Sequence, residues 1–417
     1  MCIWKTGKVS PTCRCTICRF LSKLFNLKFT PFPLLKLPLV PLRLITRMMN
    51  SNEILKLSIC SYQMELFLKS SKYKVRGFHY QLNDSFLQFD MGKRDYLSVN
   101  FEKVKNERQL EKVTKMKQLC NRGYQEDQNI FSIEYISKNE ILAMCNLVSS
   151  LHSSPFIQWA FHFDDMEMPT FWYYFDKALT GKCDMLVFRE GSLSEELLTA
   201  VMDRAPVSME MCIFSDISLN FRHSKAMKYF SINYKEARWV TVDDLKTVRN
   251  SKVVTLETTN FDSSDINEFL KYWVDCEEHM FRRLYLRMKE GTVIDKNILT
   301  DQLVTVQTPN DNCNHIFIKM RNDINNEFSL AYFNDFVSDI FELLVLRPET
   351  HPDINELLKL LEKKKDLEIE LSRIEEAAEN LGETEARNKI VREISSGLVL
   401  LRRQLMENNE KEYIFAM

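Results

Sequence analysis

The sequence predicts an α+β chain organised around αβ repeats: three short helices near the N-terminus, an irregular leucine-rich-repeat-like αβ domain, and a C-terminal helical hairpin or coiled coil. Three observations carry this. Apolar strand patterns alternate with amphipathic helical ones from 156 to 288; residues 32–70 hold three apolar helical runs separated by proline and polar caps; and leucine and isoleucine recur at heptad spacing from 353 to 408.

Composition narrows the class. A chain of 417 residues that is 45% hydrophobic can bury two or more cores. Its 56 basic and 58 acidic residues leave a formal net charge of -2, so no global field draws it to nucleic acid or anionic membrane, and neither is an expected partner. The eleven cysteines follow no repeating spacing, which argues against a secreted disulfide framework and for a reducing compartment, cytoplasmic or nuclear. No window supplies the ~18 consecutive apolar residues of a membrane span; the stretch Leu34 to Ile45 is broken by Lys36, Pro38, Pro41 and Arg43. Residues 1–30 are basic but lack an unbroken apolar core and a small-residue cleavage site, so a disordered leader is expected there.

The elements follow in order. Within 31–70, the prolines of Phe32-Pro33-Leu34-Leu35-Lys36-Leu37-Pro38 mark an extended approach to the apolar run Leu39, Val40, Leu42, Leu44, Ile45, Met48 and Met49, with Pro41 tolerated near its start. Asn50 to Glu53 reads as a capping box opening a helix through Ile54, Leu55, Leu57, Ser58 and Ile59, and a third helix runs through Met64, Leu66, Phe67 and Leu68. Helices this short cannot bury so much apolar surface among themselves, and an uncovered apolar patch marks a partner site. Residues 73–104 alternate as antiparallel strands turning at Asn83-Asp84 and Gly92-Lys93, and 103–129 is a charged linker or solvated helix.

From 156 to 288 one grammar appears twice. Met185 to Phe188 leads through Gly191-Ser192 into a helix with Leu197, Leu198 and Val201, and Val253 to Leu256 leads through Asp262-Ser263 into a helix whose Ile266, Phe269, Leu270 and Trp273 fall at i, i+3, i+4, i+7. Further strands are predicted at Met209–Phe214, Met227–Ile232 and Leu284–Met288, with a short helix at Val242–Val248. Strand starts recur at roughly twenty to thirty residues, the spacing of stacked αβ units. Ile316, Ile318 and Met320 add another strand, and an apolar segment from Phe328 to Leu346 closes a domain of 73–346. In the tail, 352–410, Leu360, Leu367, Leu371 and Ile374 line one seam and Ile390, Ile394, Leu398 and Leu401 another, with Gly382 between them. An antiparallel hairpin and self-association as a dimeric coiled coil both fit this pattern.

The segment Phe32 to Pro38, followed by Asn52-Glu53-Ile54-Leu55-Lys56-Leu57-Ser58-Ile59-Cys60-Ser61, resembles the nematode-type F-box. Phe261-Asp262-Ser263-Ser264-Asp265-Ile266-Asn267-Glu268-Phe269-Leu270-Lys271-Tyr272-Trp273 resembles the helix of the type 2 F-box-associated domain, and Phe281-Arg282-Arg283-Leu284-Tyr285-Leu286 the strand that follows it in that family. The resemblance implies an F-box at 31–70 that docks a Skp-type adaptor, and through it a cullin, with Leu37 and Pro38 in the leading loop and Leu42, Ile45, Ile54, Leu55, Leu57 and Ser58 as helical contacts. It also implies that the following domain captures a protein substrate, making the chain a non-catalytic recruiting subunit of an SCF-type ubiquitin ligase. Pro41 and Tyr62-Gln63 depart from the family pattern. Trp273 is expected in the core.

Chemistry is sparse. Nine glycines supply neither Gly-x-x-x-x-Gly-Lys nor Gly-x-Gly-x-x-Gly, and Gly-x-Ser-x-Gly and His-Glu-x-x-His are absent. Cys13, Cys15 and Cys18 lack a fourth ligand for structural zinc, and Cys276 to His279 and Cys313 to His315 read as turns beside buried cysteines. His162-Phe163-Asp164-Asp165 reads as a loop rather than an acid–base pair. No cofactor or metal is expected. The rival readings are a repeat scaffold without ligase coupling and an enzyme with an unrecognised site.

Overall fold

The structure, a computed structural model, describes residues 37–49, 53–54, 57–58, 62–75, 77–82, 86–91, 98–103, 130–135, 146–147, 149–153, 156–164, 166–308, 315–321, 328–334, 339–379, 392, 395–397, 399–400 and 414–416. The chain divides between Ser192 and Leu193 into two units. The leader 1–30, the linker 104–129, the Asn50 cap, Gly382 and the cysteines of Cys13 to Cys18 lie outside the described residues.

The first unit opens with α1 (Leu39–Met48), α2 (Tyr62–Ser71) and the two-residue strand β1 (Tyr73–Lys74). Pro38 is the N-cap of α1, so Pro41 sits in the first turn, where its missing N–H removes no helical bond. Strands β2 (Phe78–Leu82), β3 (Phe86–Met91) and β4 (Ser98–Lys103) form the antiparallel meander predicted over 73–104. Four further strands follow: β5 (Ile130–Tyr135), β6 (His152–Ser153), β7 (Ile157–His162) and β8 (Met185–Arg189). The sheet order is β8-β7-β2-β3-β4-β5, and β1 pairs with β6. Between β7 and β8 lies α3 (Met168–Thr180), which the sequence did not predict. Phe171 and Phe175 on α3 are fully buried with Phe161 of β7 and Phe188 of β8, the Phe161 and Phe171 rings meeting edge to face at 5.1 Å.

The second unit begins at Leu193, within the two-residue strand β9 (Ser192–Leu193). It contains α4 (Glu195–Arg204), β10 (Glu210–Ile213), β11 (Asp216–Ile217), β12 (Ser231–Tyr234), α5 (Val242–Lys246), β13 (Ser251–Leu256), α6 (Ser263–Asp275) and β14 (Phe281–Arg287). Next come α7 (Lys296–Leu299), β15 (Thr305–Thr308), β16 (His315–Lys319), β17 (Leu330–Asn334), β18 (Ile340–Leu346), α8 (Pro352–Glu379) and β19 (Ile414–Ala416). Its sheet runs β19-β15-β16-β17-β18-β14-β13-β12-β10. Strands β10, β12, β13 and β14 are parallel neighbours in chain order, in the register Glu210↔Ser231↔Val253↔Arg283, while β14 and the strands beyond it pair antiparallel.

Parallel register stacks equivalent residues into two buried rows, Met211–Ile232–Val254–Leu284 and Ile213–Tyr234–Leu256–Leu286, every member 0% exposed. Each such side chain contributes about 1.5–3 kcal/mol by burial. Tyr234 is the polar exception, and its hydroxyl donates to the Ala226 carbonyl at 2.6 Å. Helix α5 connects β12 to β13 and α6 connects β13 to β14, crossovers between parallel neighbours, for which a right-handed path is the rule. Helix α6 starts where predicted: the Asp262 carboxylate accepts from the N–H groups of Ser264 and Asp265 at 2.8 and 3.0 Å, and Asp265 accepts from the Asp262 N–H at 3.0 Å. Its Ile266, Phe269, Leu270 and Trp273 are all fully buried.

Two expectations need correction. The strand predicted at Met227–Ile232 begins only at Ser231, because Met227 closes a turn in which the Lys228 N–H bonds the Lys225 carbonyl at 3.0 Å and the chain bends again at Tyr229 and Phe230, so that Met227 and Tyr229 are buried without being in a strand. The closing segment Phe328–Leu346 is two strands, β17 and β18, in an antiparallel pair.

Helix α8 packs Ile354, Leu357, Leu358 and Leu361 onto Val304, Val306, Phe317 and Leu330. Further along, a Cβ at Gly397 would lie 3.4 Å from Leu367, so the helical residues 395–397 run close beside α8. Burial pushes the Glu362 carboxyl on α8 above its ordinary range, outweighing the nearby cations Lys319 and Arg321. The folded chain therefore holds this proton more tightly than the unfolded chain. The linked stability is present below the ordinary carboxylate range and is lost as pH rises through the raised folded value. Glu362→Gln should raise the thermal midpoint at neutral pH and flatten part of its decline as pH rises above the ordinary carboxylate range; an unchanged pH slope in thermal unfolding would contradict the assignment.

Candidate protein-interaction surfaces

Two surfaces stand out, one in each unit. In the first, α1 is apolar over most of its circumference, broken by Arg43 and Arg47 on one side, so burying one apolar face leaves another uncovered. Leu42 and Thr46, four residues apart, point inward, and the Thr46 hydroxyl donates to the Leu42 carbonyl at 3.0 Å. Val40, Leu44 and Met48 form a parallel row on the outside, 68%, 57% and 87% exposed. Leu39 and, on α2, Tyr62 and Leu66 are exposed as well.

The residues expected to meet an adaptor are divided by this geometry. Leu37 and Pro38 precede α1 and are exposed, Ile45 is half-buried, and Leu42, Ile54, Leu57 and Ser58 are buried within the chain. Leu55 lies outside the described residues. The exposed row at 40, 44 and 48 was within the predicted apolar run, but apolar residues lie on both sides of the Arg43–Arg47 stripe, so the sequence gives no signal for which of them turns in.

In the second unit, the residues alternating with the two buried rows face the other way. They form the ladder Asn233–Thr255–Tyr285–Glu342 and, beside it, Ser231–Val253–Arg283. All are half-buried except Arg283, which is exposed. Charges here are matched: Arg283 meets Glu342 at 2.7 Å, Lys252 meets Glu210 at 3.5 Å, and Arg287 meets Asp339 at 3.8 Å. The Asn233 Oδ1 is buried and has no hydrogen-bond partner among the described residues, an acceptor left open in the middle of the ladder.

Residues 220–286 match a family model described as F-box associated. The match spans β12, α5, β13, α6 and β14, including both segments on which the sequence resemblance to that domain rested. No curated protein and no solved structure matches the chain.

Other tempting residues do not converge. Cys276 is buried with its thiol against the Glu278 carbonyl at 3.4 Å, Glu277 and Glu278 are exposed, and His279 stacks on Phe328 at 5.3 Å. His315 packs edge-on to Tyr332 at 4.7 Å. His162 Nδ1 lies 3.1 Å from Glu190, a pair that is exposed at the carboxylate. Trp273 is core, as predicted. Among the described residues no three His, Cys, Asp or Glu side chains gather as a metal requires, and no helix is long and apolar enough to cross a membrane. The buried Cys183 thiol is pushed up to about 12 by burial, which keeps it an inert thiol rather than a nucleophile.

The two sides of the sheet should respond oppositely to substitution. Leu284→Ala should cost about 2–5 kcal/mol in denaturant unfolding, whereas Thr255→Arg and Tyr285→Asp, on the accessible side, should stay within about 1 kcal/mol of the parent. Equal losses on both sides would mean that the outward face is itself packed.

Proposed function

We propose that this chain is a substrate-recruiting, non-catalytic subunit of an SCF-type ubiquitin ligase. In this reading α1 and its leading loop dock a Skp-type adaptor that links to a cullin, and the F-box-associated unit holds a protein substrate. The observation that carries it is the match of residues 220–286 to an F-box-associated family, a domain of adaptor type. The uncovered apolar row on α1 supports the other half: helix-in-groove docking draws its affinity from a desolvated apolar centre, and Val40, Leu44 and Met48 supply one. Leu37, Pro38 and Ile45 add to that contact, while Leu42, Ile54, Leu57 and Ser58 act from inside by holding the helices in place.

We read β10, β12, β13 and β14 as an irregular repeat of leucine-rich type whose accessible sheet face meets the substrate. That face is charge-matched and mostly polar, which suits a protein better than a small molecule, whose sites are mainly apolar. The tail at 352–410 fits a hairpin, with residues 395–397 close to α8. The compartment consistent with this role is the cytoplasm or nucleus.

Leu44→Asp combined with Met48→Asp tests the adaptor half, because both side chains are exposed and neither substitution should unfold the unit. Purified Skp-type adaptor should be retained by the parent chain and lost by at least about tenfold in the double variant, since each buried apolar anchor is worth about 1–2 kcal/mol at an interface. A parent chain that retains no adaptor would leave the repeat-scaffold reading in its place.

A further inference from the structure

Where the C-terminal end of α1 meets the end of α2 and β1, a cleft of about 430 Å³ is lined by four cations, Arg43, Arg47, Lys72 and Lys74, together with Ser70 and Tyr73. Among the described residues no carboxylate belongs to its wall. Arg43 and Arg47 are four residues apart on α1 and so lie side by side, a like-charge pair whose repulsion is offset in part by the C-terminal end of the helix, where Arg47 occupies the last turn. Lys72 ends α2 with φ +37°, the left-handed region normally given to glycine or asparagine. None of the four charged groups has a hydrogen-bond or ion-pair partner among the described residues, and the one acid on α2, Glu65, is held by Lys69 at 2.5 Å. The Tyr73 hydroxyl is buried and equally unpartnered.

We propose that this cleft binds the phosphate of a phosphorylated serine or threonine carried by a protein partner. Guanidinium groups grip phosphate with paired N–H donors, and the two lysines add point charges. A phosphate monoester brings close to two negative charges and three acceptor oxygens, enough to answer the Tyr73 hydroxyl as well as the cations. A polypeptide is the better-fitting carrier because a single phosphorylated side chain brings its charge to one point, and the chain on either side of it can bond to Ser70 and Ser71 of the same wall. Single-stranded nucleic acid needs a basic track with stacking rings along it; here the charges converge on one place, and Tyr73 is set edge-on to His152 at 6.3 Å. A membrane surface needs cations spread in the plane of the apolar face, whereas these four converge on a cleft.

The test uses the full chain and two fluorescent peptides of alanine and leucine, one bearing a single phosphoserine and the other its unphosphorylated twin. Anisotropy should show the phosphorylated peptide binding at least about tenfold more tightly at moderate salt. Arg43→Gln with Arg47→Gln should erase that preference. Lys72→Gly is the decisive variant: it should weaken phosphopeptide binding severalfold while raising the thermal midpoint, because glycine accepts the left-handed backbone more readily. Equal binding of the two peptides would overturn the proposal, as would variants that keep the preference. So would phosphatidylserine vesicles or single-stranded DNA binding in a manner sensitive to these variants while the phosphopeptide stays unbound. None of these outcomes depends on whether an adaptor docks on α1.

Discussion

The parallel register that stacks Met211, Ile232, Val254 and Leu284 into one buried row, and Ile213, Tyr234, Leu256 and Leu286 into another, is the constraint on which the second unit rests. Side chains alternate along a strand, so committing these positions to the helix side commits Asn233, Thr255, Tyr285 and Arg283 to the other. A slip of one residue would exchange the two sets and place charged Arg283 in the core. The outward face is thus a consequence of the core, and Asn233, Thr255, Arg283 and Tyr285 lie within the segment matched to the F-box-associated family. Tyr234 shows how tightly this holds: a hydroxyl in a fully buried row is satisfied by the Ala226 carbonyl at 2.6 Å, and its burial raises the phenol well above its ordinary range.

Much of this was legible in the residues. Ile266, Phe269, Leu270 and Trp273 at helical spacing behind Asp262 announced α6 and its start, and alternation announced the meander of β2, β3 and β4. Helix α3 was not legible because Phe171-Trp172-Tyr173-Tyr174-Phe175 has no polar side to give a helical period. The strand β12 was misplaced because Met227 and Tyr229 are buried from a turn, and burial alone does not distinguish a turn from a strand. The accessible ladder was hidden for a different reason. Asn233, Thr255 and Tyr285 are each ordinary polar alternation in their own strands, and only register shows that they adjoin.

The two surfaces differ in kind, and that difference fits the roles assigned to them. The α1 row is aliphatic and strongly exposed, a surface that is costly in water and gains most by being covered. The sheet face is polar and ion-paired, stable when bare, and able to hold partners that come and go. A recruiting subunit needs both: one lasting attachment and one exchangeable one.

The central claim is that the sheet face across β12, β13 and β14 holds the recruited protein. Proximity labelling of the full chain with and without proteasome inhibition tests it most directly, comparing the parent with a Thr255→Arg, Tyr285→Asp variant. The account predicts that neighbours accumulating under inhibition around the parent disappear around the variant, while labelling of the Skp-type adaptor persists. The same inhibitor-dependent neighbours around both chains would contradict it.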